Sequence, residues 1–175
     1  IYCYDSSPSL MNVTISNNSA WRGGGIYCDH YSSPSLVNVT ISNNSATGSG
    51  GGGIYCTYYS SPSLVNVMIT DNSASDDGGG IHCTSNSNLS LANVTISNNT
   101  VSNSGGGLHC QEYSNPSIEN VTITGNTATY LGGGIYCSSS SSPSLESVTI
   151  TGNSSSESGG GIWCDYSNPS LVNVN

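Results

Sequence analysis

The sequence of 175 residues predicts an all-β protein, a single right-handed parallel β-helix of six to seven coils with about 27 residues and three short strands per coil. Two observations predict this fold. Cysteines recur at intervals of 25, 28, 27, 27, 27 and 27 residues, and every later cysteine ends a Gly-Gly-Gly-(Ile/Leu)-(Tyr/His/Trp)-Cys phrase. A fixed period of this length indicates stacked units that bury a core only together. The cysteines are Cys3, Cys28, Cys56, Cys83, Cys110, Cys137 and Cys164.

The strands of each repeat follow from alternation with a period of two. Ile54-Tyr55-Cys56 and Val39-Thr40-Ile41 alternate in this way, and Leu36 lies between two such segments. We expect Ile and Cys, then Leu, then Val and Ile, then mostly Ala to point inward. Asn, Gly, Ser and Pro between these segments predict turns. Coils would stack at about 4.8 Å, and the preference of parallel crossovers favours a right-handed helix.

Two columns of asparagine predict structural ladders at the turns. Stacked amides can hydrogen-bond along the helix axis, and Asn, Asp and Gly just before the second column tolerate a left-handed corner. The first column is Asn12, Asn38, Asn66, Asn93, Asn120 and Asn173, with Ser147 as the exception. The second is the predicted structural Asn ladder: Asn18, Asn44, Asn72, Asn99, Asn126 and Asn153.

The charge balance excludes several classes of partner. Arg22 is the one basic residue besides three histidines, against ten Asp and Glu, and the formal net charge is −9. One cation cannot neutralise several phosphates, so nucleic-acid binding is excluded, as is polybasic attachment to anionic membranes. No apolar run approaches the roughly 20 residues of a transmembrane helix, so no membrane insertion is expected.

The order Gly-Gly-Gly-Ile followed by Ile-x-x-Asn resembles the repeat of bacterial polymorphic outer membrane proteins and related right-handed β-helix proteins. The resemblance covers nearly the whole chain, although Ile stands where that family has Phe. It implies a surface-exposed passenger, an adhesin or an extracellular structural module. The Phe position is held by Ile15, Ile41, Ile69, Ile96, Ile123 and Ile150.

The cysteine column leaves three interpretations open. The thiols can form a buried ladder of small apolar groups, neighbours can form vertical disulfides because one coil spacing lies within the usual Cα separation, or they can bind metal. Seven is an odd number, so at least one thiol stays unpaired. We favour the buried ladder and expect neither metal nor cofactor.

An aromatic column between Ile and Cys points out of the predicted sheet. An exposed stripe of this kind can stack on sugars or pack against a neighbouring surface, and alternatively it stabilises the sheet as a cross-strand ladder. Its members are Tyr2, Tyr27, Tyr55, His82, His109, Tyr136 and Trp163. A second aromatic column precedes the proline and consists of Tyr31, Tyr59, Tyr113 and Tyr166.

Asn-x-Ser/Thr sequons are dense and predict N-glycosylation at exposed corners. The candidates are Asn17, Asn43, Asn98, Asn12, Asn38, Asn93 and Asn120. A repeated Thr-x-Thr pattern on the third strand also resembles the ice-binding face of β-solenoid antifreeze proteins, although Met68 and several Ser interrupt it. Glycosylation is the stronger of these two predictions.

Polysaccharide lyase chemistry would need a basic residue beside clustered acids, and this chain offers Arg22 alone with acids scattered in loops. We therefore predict no enzymatic activity. The whole chain, residues 1–175, is expected to be one β-helix domain, either a segment of a longer repeat chain or a filament subunit that self-associates end to end or laterally. The predicted function is an extracellular or cell-surface fibre or adhesin stalk, with a carbohydrate- or surface-binding module on the aromatic column as the alternative.

Overall fold

The predicted parallel β-helix is confirmed by a computed structural model that describes all of residues 1–175. The chain forms 26 short strands, and every strand pairs in parallel with its equivalents one coil away. Four sheets of seven, seven, six and six strands run along the axis. The structure contains no helix long and apolar enough to cross a membrane.

The first two sheets run through all seven coils, and we name them after their inward residues. The strands of the cysteine sheet are Tyr2–Tyr4, Ile26–Asp29, Ile54–Cys56, Ile81–Cys83, Leu108–Cys110, Ile135–Cys137 and Ile162–Cys164. The strands of the leucine sheet are Ser9–Met11, Ser35–Val37, Ser63–Val65, Ser90–Ala92, Ser117–Glu119, Ser144–Glu146 and Ser170–Val172.

The other two sheets contain six strands each. The strands of the isoleucine sheet are Thr14–Ser16, Thr40–Ser42, Met68–Thr70, Thr95–Ser97, Thr122–Thr124 and Thr149–Thr151. The strands of the alanine sheet are Ser19–Ala20, Ser45–Ala46, Ser73–Ala74, Thr100–Val101, Thr127–Ala128 and Ser154–Ser155. Each coil therefore has four strands, one more than alternation predicts, because the Ala column also pairs over two residues.

The register places identical or similar residues directly above one another. Cys28 pairs with Cys56, Leu36 with Leu64 and Ile41 with Ile69. These inward side chains form one continuous core cluster of 26 buried residues. A coil closes this core only with the coils above and below it, as expected for a solenoid.

The Gly-Gly-Gly phrase marks a close approach between neighbouring coils. A Cβ built on Gly53 would lie 2.7 Å from the carbonyl oxygen of Gly80 in the next coil. Gly53 and Ile54 also donate backbone hydrogen bonds to that carbonyl. A side chain at this position would therefore separate the coils, which explains why glycine recurs immediately before the six later strands of the cysteine sheet.

Both predicted corners have left-handed backbone conformations. In the first asparagine column φ lies between 51° and 56°, including Ser147 at 55°. Before the second column, φ is 59° at Asn17, 56° at Asp71 and 66° at Gly125. The Asn, Asp and Gly residues are thus found where a positive φ turns the chain from one sheet to the next.

Candidate functional site

The second asparagine column forms a hydrogen-bonded ladder along the axis, and its four central members are buried. Asn72 donates from its backbone nitrogen and from Nδ2 to Asn99 Oδ1, at 3.0 Å in both cases. Asn72 Nδ2 also donates to the carbonyl oxygen of Ile41 at 3.0 Å. The same pattern recurs from coil to coil and satisfies polar groups that the sheets leave unpaired. This ladder comprises Asn18, Asn44, Asn72, Asn99, Asn126 and Asn153.

The seven candidate glycosylation asparagines are all exposed at the two left-handed corners. Asn17 Nδ2 donates to Ser16 Oγ at 3.3 Å, and Asn38 Nδ2 donates to Asn12 Oδ1 at 3.1 Å. These side chains are therefore at the surface, in two columns where asparagine recurs in several of the coils. The seven are Asn12, Asn17, Asn38, Asn43, Asn93, Asn98 and Asn120.

The seven cysteines stack as free thiols in one column. Six of them are buried, and Cys164 in the last coil is exposed. Burial raises the pKa of the Cys56 and Cys110 thiols above the ordinary value. Such thiols are poor nucleophiles and poor metal ligands, because both reactions need the thiolate. The column is Cys3, Cys28, Cys56, Cys83, Cys110, Cys137 and Cys164.

The outward aromatic column is a continuous stack of rings. Successive ring centroids are 4.3 to 5.1 Å apart from Tyr2 to Trp163. These distances are typical of favourable aromatic pairs. The rings are Tyr2, Tyr27, Tyr55, His82, His109, Tyr136 and Trp163.

Of the two interpretations of this column, the exposed stripe does not hold at its centre, and the ring contacts are those of a cross-strand ladder. Tyr55, His82 and His109 are 8%, 4% and 2% exposed, whereas Tyr2 at the end is 60% exposed. Loops from the alanine sheet to the glycines fold over the rings, and a Cβ added at Gly50 would overlap His82 Nδ1. The centre of the column, Tyr55, His82 and His109, therefore serves as a second, aromatic core beneath these loops.

Two histidines and one carboxylate meet in this aromatic core. His109 Nδ1 lies 3.4 Å from Asp77 Oδ1 and 3.2 Å from the carbonyl oxygen of Ser104. Neither ring nitrogen of His82 has a hydrogen-bond partner. Burial, with the charge of His109, lowers the pKa of His82 well below its ordinary value. Burial alone would raise the pKa of Asp77, but the hydrogen bond and charge of His109, with the charge of His82, lower it.

This cluster keeps a neutral imidazole in a buried site. A neutral, unpaired His82 can accept a hydrogen bond or a proton, but the covering loop leaves no room for a ligand. No group of three or more His, Cys, Asp and Glu side chains is arranged to hold a metal ion.

A buried serine ladder was not predicted. Ser60 and Ser87 are fully buried at the turn after the cysteine sheet, and each backbone nitrogen donates to the serine Oγ of the following coil. Serine is common in this chain, so its column does not stand out in the sequence. The sequence does contain a signal for this ladder, because each of these serines follows the cysteine of its coil by four residues. The ladder is Ser32, Ser60, Ser87, Ser114 and Ser141.

The second aromatic column is the exposed one. Tyr59 and Tyr113 are 53% and 61% exposed, and Tyr31 stacks on Tyr59 with centroids 5.4 Å apart and planes at 8°. These tyrosines occupy left-handed backbone, with φ of 61° at both Tyr59 and Tyr113. Large side chains rarely adopt this conformation. The best candidate binding surface is therefore this turn and not the Tyr2 to Trp163 column.

A family model described as a right-handed β-helix region matches residues 1–100 and 92–175, which together cover the whole chain. The chain belongs to the right-handed β-helix family. A search of curated proteins and a search of solved structures each found no match. Family membership confirms the handedness and the repeat architecture, whereas the function has to be argued from the surface of this β-helix.

Proposed function

We propose that this β-helix is a non-catalytic structural rod, a fibre or adhesin stalk that acts outside the cell and holds other groups at a distance. The observation that carries the proposal is the continuity of its ladders. Asparagine, cysteine, serine and aromatic columns repeat the same contacts from coil to coil. A structure made of one repeated contact can be lengthened without a change in its chemistry.

The surface supports a role as a carrier of glycans. The exposed corner asparagines Asn17, Asn43 and Asn98 lie within Asn-x-Ser/Thr sequons, and none of them contributes to the buried core. Modification there would cost no packing, and it would cover a surface that has few charges. Intact-mass and peptide analysis of native material tests this part directly, and unmodified Asn17, Asn43 and Asn98 would contradict it.

Association along the axis follows from the same geometry. A coil presents parallel strand edges to the next coil, and such edges can accept strands of the same chain or of a second chain. End-to-end assembly would therefore repeat the hydrogen bonds found within the chain. Lateral association would use the outward, mostly half-buried Thr and Ser of the isoleucine sheet.

A tandem chain tests whether the β-helix can be lengthened as a rod. Asn175 occupies the repeat position of Thr149, so a duplicate of residues 150–161 between two copies restores the coil register. We expect one continuous rod about twice as long, roughly 64 Å against roughly 31 Å at ~4.8 Å per coil. Small-angle X-ray scattering measures this length.

The matched control is a tandem in which a Gly-Ser linker of equal length replaces the duplicate, because that linker lacks the inward Ile and the Asn of the ladder. The control should scatter as two short bodies joined by a flexible segment. If both tandems scatter alike, as two separate bodies, the β-helix does not extend and the proposed role as a rod is wrong.

A further inference from the structure

The turn between the cysteine sheet and the leucine sheet has an exposed aromatic column that is interrupted at Asn86 and again at Ser140. Tyr31, Tyr59 and Tyr113 hold the same position in their coils, but Asn86 holds it in the coil between Tyr59 and Tyr113. We propose that this notch binds a neutral pyranose with all substituents equatorial, such as a β-glucosyl unit, between the rings of Tyr59 and Tyr113. The inference does not depend on the rod proposed above.

The notch has the height of one inserted ring. Tyr31 covers one face of Tyr59, so the other face of Tyr59 is directed at the coil of Asn86. Tyr113 lies two coils beyond Tyr59 with the same φ of 61°. Two coil steps of ~4.8 Å separate the rings by roughly 9.6 Å. A flat aromatic ring between the two tyrosines would be too thin to contact both at van der Waals distance. A puckered sugar ring is thicker, because C–H groups project from both of its faces, and it fills the space better.

The structure has a concavity of about 460 Å³ at this place. Its walls are aromatic and its floor is polar, which is the combination that positions a small polar ligand. The lining residues are Tyr58, Tyr59, Ser85, Asn86, Glu112 and Tyr113.

The polar floor presents hydrogen-bonding groups at the level of the missing ring. Ser85 Oγ and Thr84 Oγ1 donate to Glu112 Oε2 at 2.8 and 2.9 Å, which fixes this carboxylate in place. The other carboxylate oxygen, Oε1, accepts no hydrogen bond within the chain, and Glu112 and the half-buried Asn86 both line the notch, so ring hydroxyls can bond to them. A carboxylate at the floor, in a chain of net charge −9, disfavours an anionic sugar.

The two aromatic walls select the stereochemistry of the sugar. A β-glucopyranoside carries its hydroxyls around the ring edge and exposes C–H groups on both faces, so both tyrosines can pack against it. A β-galactopyranoside carries an axial hydroxyl at C4, which would press a polar group against one tyrosine without a hydrogen-bond partner. The hydroxyls around the edge of the β-glucopyranoside would form hydrogen bonds with Glu112 and Asn86.

The backbone supports a binding role for these tyrosines. Tyr58 and Tyr59 have φ of 49° and 61°, and Glu112 and Tyr113 have φ of 54° and 61°. Consecutive left-handed residues with large side chains are strained, and such strain is concentrated at functional sites. The equivalent turn at Ser139 and Ser140 has the same conformation with small residues, so the fold does not need tyrosine there.

The test is a titration followed by NMR of the tyrosine ring resonances, with methyl β-D-glucopyranoside, methyl β-D-galactopyranoside and cellotetraose as probes. We expect saturable shifts of Tyr59 and Tyr113 with the glucoside, and binding at least about fivefold weaker with the galactoside. Tyr113→Ala should weaken cellotetraose binding by about tenfold or more. Asn86→Tyr fills the notch and should abolish binding while the chain stays folded by circular dichroism.

Ser140→Tyr and Tyr166→Ala are the matched controls, because they make the same changes at the second gap of the column, where the structure has no comparable concavity. Both should bind cellotetraose within twofold of the unmodified chain. Equal affinity for the two glycosides, or unchanged binding by Asn86→Tyr, would overturn the proposal. So would the absence of a saturable shift at millimolar cellotetraose. Tighter binding of N-acetyl-tyrosinamide than of cellotetraose would overturn it in favour of an aromatic side chain of a protein partner.

Discussion

At the scale of single residues, His82 makes stability depend on pH. Its pKa in the folded chain lies well below 6.5 because the ring is buried without a partner. As the pH falls below about 6.5, His82 becomes protonated in the unfolded chain but stays neutral in the folded chain. The free energy of unfolding therefore decreases. Asp77, whose folded pKa is lowered below 3.8, adds a second loss at more acidic pH.

We therefore predict that protonation of His82 does not lower the free energy of unfolding well above pH 6.5. Below that pH it should lower the free energy of unfolding by up to about 1.4 kcal/mol per pH unit. Urea unfolding at pH 8, 7, 6 and 5 measures this slope. His82→Phe keeps a stacked ring and should reduce the slope between pH 6.5 and 5. Tyr136→Phe, a change in the same stack at a group whose pKa is raised above 10 by burial, should leave the slope between pH 6.5 and 5 unchanged. Equal slopes in all three chains would contradict the assignment.

Gly50 gives a second prediction at this scale. An added Cβ would overlap the ring of His82, and φ at Gly50 is +66°. We expect Gly50→Ala to lower the free energy of unfolding by about 2–4 kcal/mol, from left-handed strain and displacement of the loop over the aromatic core. Gly48→Ala is the control, because its Cβ meets Trp21, an exposed side chain that can move. Similar losses in both variants would show that the loop does not hold His82 in place.

Residue identity predicted the corners better than it predicted burial. Asn, Asp and Gly before the asparagine ladder predicted the left-handed corner, because few other residues tolerate a positive φ. Tyr58 and Tyr59 did not predict their left-handed turn, because tyrosine rarely adopts a positive φ. Alternation showed that Tyr55 and His82 point out of their sheet, but the loop that covers them packs through Gly50, and alternation contains no information about that contact.

At the scale of elements, the asparagine ladder is a main source of stability between coils. Asn99 accepts from Asn72 and donates to the carbonyl of Ile69, all in a buried site. We predict that Asn99→Ala costs about 3–5 kcal/mol, because it leaves several buried polar groups unpaired. Chemical denaturation measures this loss.

The control for the asparagine ladder is Asn18→Ala. Asn18 is the exposed first member and donates to Ser16 and Asn44, but no earlier asparagine donates to it. Its loss should cost about 1 kcal/mol. If Asn99→Ala costs no more than Asn18→Ala, the ladder contributes little and sheet pairing alone holds the coils together.

The cysteine column gives a prediction that separates thiols from disulfides. Six thiols are buried, and burial keeps Cys56 and Cys110 protonated. A thiol-alkylating reagent should therefore label at most Cys164 in the folded chain. In guanidinium without reductant it should add seven labels by mass. Each vertical disulfide would remove two labels from that count, and five or fewer would contradict the free-thiol ladder.

Alternation over three residues was sufficient to predict three of the four strands in each coil. The Ile-x-Cys and Val-x-Ile segments each place two inward residues at a spacing of two, and the single inward Leu lies between them, bounded by turn residues. The alanine sheet has strands of only two residues, such as Ser45–Ala46 and Ser73–Ala74, which are too short to alternate. These strands form by pairing with the equivalent residues of the neighbouring coils. They can therefore be identified from the structure but not from the local sequence pattern.

At the scale of the whole molecule, the same few columns run from the first coil to the last. The period of the sequence predicted this arrangement, because an exact repeat leaves few other ways to bury the Ile, Leu and Cys residues. The notch at Asn86 could not be predicted in the same way. The notch is an interruption in a surface column. Its proposed role as a binding site depends on the rings of Tyr59 and Tyr113, which the coil spacing places on either side of it.

A high-resolution cryo-EM map of the native, untreated material tests the structural role most directly. We predict coils stacked in register on both sides of residues 1–175, with additional density on the corner asparagines such as Asn17 and Asn43. An isolated β-helix with bare corners and nothing stacked on its first and last coils would contradict the proposal of a glycan-bearing rod.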